Sequence, residues 1–97
     1  MSKSDIRDLI GRARVLAREL ERQTPNTTVY RHILVQLEIL EQSLSSSPRE
    51  AFDAARPLGV LAVHELDDAH GQPADLAALI FRIRDELRQR AGLPYFA

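Results

Sequence analysis

The residues with the most chemistry to offer lie close together: His64, Glu65, Asp67, Asp68 and His70 place two imidazoles and three carboxylates in one short stretch. Such donors suit a divalent metal ion, but the helical zinc motif sets its histidines four residues apart so that both rings share one face. Here the interval is six and crosses the expected end of a helix, so solvated and capping side chains are expected, with no metal bound. The third histidine, His32, follows Arg31 at the edge of an apolar stripe and reads as a half-exposed surface residue. Cysteine is absent, which removes thiol nucleophiles, disulfides and thiolate metal sites together. Gly11, Gly59, Gly71 and Gly92 are too dispersed for a phosphate-cradling loop. With no nucleophile paired to a base and no carboxylates in separated roles, the chain is expected not to be an enzyme and to need no cofactor.

Arginine offers a second chemistry, contact with phosphate. Near the start, Lys3, Arg7, Arg12, Arg14, Arg18 and Arg22 outnumber Asp5, Asp8, Glu19 and Glu21 by two. A nucleic-acid reader would gather these cations on one stripe, whereas Arg12 and Arg22 diverge from Arg7, Arg14 and Arg18 on a helix. The whole chain has 13 Lys and Arg against 14 Asp and Glu, a net charge of −1, and lacks the basic surplus that displaces counterions. A solvated, ion-paired face is expected, and no nucleic-acid partner.

Positioning these groups falls to helices. Ile6, Leu9, Ile10, Ala13, Leu16, Ala17 and Leu20 recur at three- and four-residue steps, predicting a helix from about 4 to 23, with Ser2 or Ser4 as cap, ended by Thr24-Pro25-Asn26. Tyr30, Ile33, Leu34, Leu37, Leu40 and Leu44 predict a second, about 28–45, capped by Thr27 or Thr28. Val35 and Ile39 lie off its main stripe, which implies either a second neighbour or an apolar strip awaiting a partner. Ser47-Pro48-Arg49-Glu50 joins a capping serine, a proline at the first helical position and the glutamate of a capping box, opening a third helix over 48–66. Pro57 interrupts it, predicting a kinked but continuous helix whose second half, Leu58 to Val63, is apolar almost all round and so expected to pack on several sides. Gly59 is expected to admit a neighbouring backbone. Pro73 and Asp75 open the last helix, about 73–91, with Glu86 and Arg90 spaced for an ion pair and Gly92 placed to end it.

No segment alternates at period two, so the expected fold is all-α: an antiparallel four-helix bundle kinked near Pro57, one domain over residues 1–97. With 44% hydrophobic and 28% charged residues it belongs among globular chains. No apolar run approaches the roughly 20 residues of a membrane span, and the polar start Met1-Ser2-Lys3-Ser4-Asp5 is unlike a signal peptide, so a cytoplasmic location and no membrane partner are expected.

Charge is uneven along the chain. From Pro48 to Gln72 two arginines face five carboxylates, three of them (Glu65, Asp67, Asp68) within four positions. Acids near a helix C-terminus oppose its dipole. They are either a soluble helix end with an acidic loop or an epitope for a basic partner.

The run Leu58-Gly59-Val60-Leu61-Ala62-Val63-His64-Glu65-Leu66-Asp67-Asp68, with Pro73-Ala74-Asp75-Leu76 after it, resembles the small all-helical immunity proteins of bacterial type VI secretion. The helix from Tyr30 to Leu44, with Gln36 and Leu37 at its middle, is similar to that family's second helix, so the likeness spans about Thr27 to Leu87. It implies a protein that binds a cognate toxin which hydrolyses NAD(P) or otherwise consumes nucleotides, and blocks its active site. On that implication Glu65, Asp67, Asp68 and Asp75 are candidate acidic contacts, and Val35, Ile39, Tyr95 and Phe96 candidate apolar anchors. The alternative is a homodimeric helical adaptor or regulatory module in which the second helix pairs with its own copy, and an immunity protein could also form a homodimer when free.

Overall fold

Four segments with apolar residues at three- and four-residue steps each bury that stripe in a computed structural model, which describes residues 5–66 and 71–92. They are helices α1 (Asp5–Gln23), α2 (Val29–Ser43), α3 (Pro48–Leu66) and α4 (Gln72–Arg90), and no strand occurs among the described residues. Ile10, Ile33, Leu37, Leu40, Leu58, Leu76, Ile80, Ile83 and Leu87 are fully buried, and the described core contains no polar or charged residue. Each such side chain contributes roughly 1.5–3 kcal/mol by leaving water.

The helices pack in a ring. α1 packs against α2 and α4, and α3 against α2 and α4, while the diagonal pairs show no comparably close backbone approach among the described residues. A helix with two neighbours buries one side only, which corrects the expectation for the second half of α3. Leu58, Gly59 and Ala62 are buried, but Val60 is 56% and Val63 49% exposed. Val35 and Ile39 on α2 are likewise exposed, at 48% and 44%, so of the two readings of that wide stripe the uncovered one holds in the isolated chain.

Local chemistry explains the helix ends. Ser47 caps α3, its hydroxyl accepting the Glu50 backbone N–H at 3.1 Å. Ser47→Ala should lower stability by about 1 kcal/mol, shifting the melting temperature by roughly 4–8 °C, readable by thermal denaturation followed by circular dichroism. Thr28 caps α2 without a side-chain hydrogen bond, and α2 stops at Ser43, where Leu44 and Ser46 N–H groups bond back to Glu41 and Ser43 carbonyls. At the start of α4, Gly71 has φ 68°, a left-handed conformation natural to glycine, and its carbonyl accepts the Asp75 N–H. Gly92, also at φ 68°, follows the C-terminus as expected. The Glu86–Arg90 ion pair does not form; Arg88 instead pairs with Asp85 at 2.9 Å, one turn back. Ser2 and Ser4, the 67–70 loop and the Pro94-Tyr95-Phe96 tail lie outside the described residues.

Pro57 sits inside α3, which runs on through it as one helix. Proline has no N–H, so the Asp53 carbonyl one turn earlier loses its helical partner. Both residues face solvent, where water can take that bond.

Candidate functional site

With an apolar core, any recognition chemistry must be on the surface, and the cationic face of α1 is largely neutralised there. Arg12 pairs with Asp8 at 3.2 Å, Arg14 with Glu41 of α2 at 2.6 Å, Arg31 of α2 with Glu21 at 3.0 Å, and Arg22 with Glu19. Exposed pairs of this kind contribute at most about 1 kcal/mol each. The Arg22 hydrogen bond, helped by one from Gln23, holds the Glu19 carboxyl below its usual range.

Several surface concavities open along and between the helices among the described residues. The first, ≈ 650 Å³, lies along α1 over Gly11 and Val15, flanked by Asp8 and Glu19. A second, ≈ 210 Å³, lies between α1 and α2 and includes Arg14, Glu21, Arg31, Val35 and Glu38. A third, ≈ 510 Å³, joins the turn from Gln23 to Thr27 with Val29, Tyr30, Glu65 and Leu66. The fourth, ≈ 340 Å³, is formed by Arg56, Gly59, Val60, Val63 and His64 of α3 with Arg84 of α4.

This geometry separates the expected contact residues. Glu65 is exposed at the end of α3 beside the α1–α2 turn, while Val35 belongs to a different concavity. Ile39 is one helical turn beyond Val35, and Asp75 is exposed in the first turn of α4. Asp67, Asp68, Tyr95 and Phe96 lie outside the described residues. His32 and His64 are both exposed, and no group of three potential metal ligands converges among the described residues.

Sequence reasoning missed the fourth concavity. Gly59 does not admit a backbone as expected; a Cβ built there would come within 2.7 Å of Arg84 Cδ and Nη1, so it is an arginine side chain that crosses the glycine. Arg84 Nε is buried without a hydrogen-bond partner. A usable signal was present in Val60 and Val63, which fall off the stripe of Ala51, Ala55, Leu58 and Ala62.

Tyr30, at the rim of the third concavity, is buried, and desolvation pushes its phenol above the ordinary value of 10.0. A raised folded-state value favours the protonated ring, so this contribution is complete below that ordinary value and is lost as pH rises through the higher, folded one. The wild type should lose melting temperature above pH 10, and Tyr30→Phe should flatten that fall. An equally steep fall in both would exclude Tyr30 as its source.

The family model for Tsi6 matches residues 5–88, all of the helical ring except the last two residues of α4. The chain belongs to the Tsi6 family. The family is one of type VI secretion immunity proteins, so the expected resemblance holds at that level, and the match takes in α1, which the motifs alone left out. An immunity family points to binding and not to catalysis, with a toxin protein as partner. No curated protein matches the chain. No solved structure matches it either. No helix among the described residues is long and apolar enough to cross a membrane.

Proposed function

We propose that the chain binds a cognate type VI secretion toxin in the cytoplasm and covers the mouth of its active site, so that NAD(P) or a related nucleotide cannot enter. The observation that carries this reading is the family match over residues 5–88. An interface of the usual size, about 1,600 Å² in total, would cover a large share of one side of so small a bundle. In this reading the four helices run antiparallel and α3 bends at Pro57; the Glu65 and Leu66 end of α3 beside the α1–α2 turn supports the alternation. Glu65, Asp67, Asp68 and Asp75 supply acidic contacts to a basic rim on the toxin, and Val35, Ile39, Tyr95 and Phe96 supply apolar ones.

Co-expression is the test. If a type VI secretion toxin is encoded beside this gene, cells producing it should retain NAD(P) and grow when the chain is present, and lose both when it is absent. Unprotected cells in both cases would overturn the reading. Asp67→Lys with Asp68→Lys should slow association at low salt, since complementary charge acts mainly on the on-rate; an unchanged rate would remove both from the interface. The exposed Val35 and Ile39, one turn apart, favour a second reading, a homodimer through α2, which sedimentation of the free chain would reveal.

A further inference from the structure

Of the concavities described above, the one between α3 and α4 differs in charge. Asp8 and Glu19 line the first, Glu21 and Glu38 the second and Glu65 the third, whereas the described lining of the fourth has Arg56, His64 and Arg84 and no carboxylate. Neither of the groove's two arginines, Arg56 and Arg84, forms an ion pair among the described residues. The Arg84 Nε is a buried donor without a hydrogen-bond partner, which costs free energy, while the residue as a whole is only half-buried. Beside it Val60 and Val63 expose apolar surface amid the cations. Gly59 keeps the arrangement low, because any larger residue would displace the Arg84 head group.

We propose that this α3–α4 groove is the seat of an acidic segment of the toxin: an Asp or Glu side chain paired with Arg84 and Arg56, followed by an apolar residue resting on Val60 and Val63. This rests on the immunity reading and names the surface and the partner chemistry. A guanidinium binds a carboxylate through two parallel hydrogen bonds, and arginines beside apolar anchors are where binding energy concentrates. The toxin is thus gripped by opposite charges at two places: the cations of the groove, and the acids that begin at Glu65 just beyond His64.

The test uses the 97-residue chain and the catalytically inactivated domain of the toxin that the co-expression test identifies, with affinity read by calorimetry. Arg56→Glu and Val60→Glu replace exposed residues, so the fold should persist, checked by melting temperature, while binding weakens about tenfold or more for each. Arg84→Lys keeps the charge but loses the two-pronged geometry and should also weaken binding. Val15→Glu on α1 is the control and should leave affinity unchanged. If the wild type binds and Arg56→Glu and Val60→Glu bind as tightly, the groove proposal is overturned while the immunity reading stands. If the wild type fails to bind, both fall. If the free chain is a dimer that Val60→Glu makes monomeric, a second copy occupies the groove and the acidic-segment proposal is wrong.

Discussion

Replacing Pro57 by alanine should raise the free energy of unfolding by about 2 kcal/mol, measured by urea denaturation with the slope unchanged. In a helix interior proline is about 3 kcal/mol less favourable than alanine, because its ring crowds the carbonyl four residues back and its nitrogen cannot donate. Alanine at this site would donate to the Asp53 carbonyl and relieve that crowding. Two effects reduce the gain. Alanine lets the unfolded chain explore more conformations, worth up to about 1 kcal/mol, and the carbonyl already has access to water. A gain near zero would show that α3 has adapted fully to its proline. If Pro57 also shapes the α3–α4 groove, the more stable variant should bind the proposed toxin less well, the usual conflict between stability and a shaped recognition surface.

At the next residue the sign reverses. Leu58→Ala should destabilise the protein by about 2–5 kcal/mol, a large part of the total stability of a domain this size. Leu58 is fully buried, and truncation removes both its transfer free energy and the contacts of its neighbours across the cavity left behind. Denaturant unfolding would show this as a lower midpoint at constant slope. A loss below about 1 kcal/mol would mean that α3 slides inward to close the gap. Pro57 and Leu58 thus divide one turn of α3 into a solvent side that tolerates a break and a core side that does not.

That division explains what could be read from the chain. Periodicity located all four helices, and Ser47 and Gly92 marked ends that the structure shows, because capping and left-handed turns depend on local chemistry alone. The number of neighbours around each helix is a tertiary property. Leu58 to Val63 therefore looked buried on all sides, and only the ring of helices shows that Val60 and Val63 have nothing to cover them. The Arg84 crossing of Gly59 joins residues 25 apart, a pairing that no local pattern encodes. In the candidate site, Glu65, Asp75, Val35 and Ile39 were legible as exposed residues because polarity and departure from the stripe report the outward side of a helix. Their division among separate concavities was not.

The described core holds no polar or charged side chain, so nothing within it depends on what the surface carries. Exchanging exposed residues on such a scaffold usually changes stability by less than about 0.5 kcal/mol. On the proposed reading, a toxin that mutates its contact surface can be followed by compensating changes at exposed positions such as Arg56, Val60 or Glu65 without endangering the bundle. If that reading holds, such an inhibitor can evolve as fast as its target, because the exposed residues proposed to choose the partner are different from the buried ones that make the protein fold.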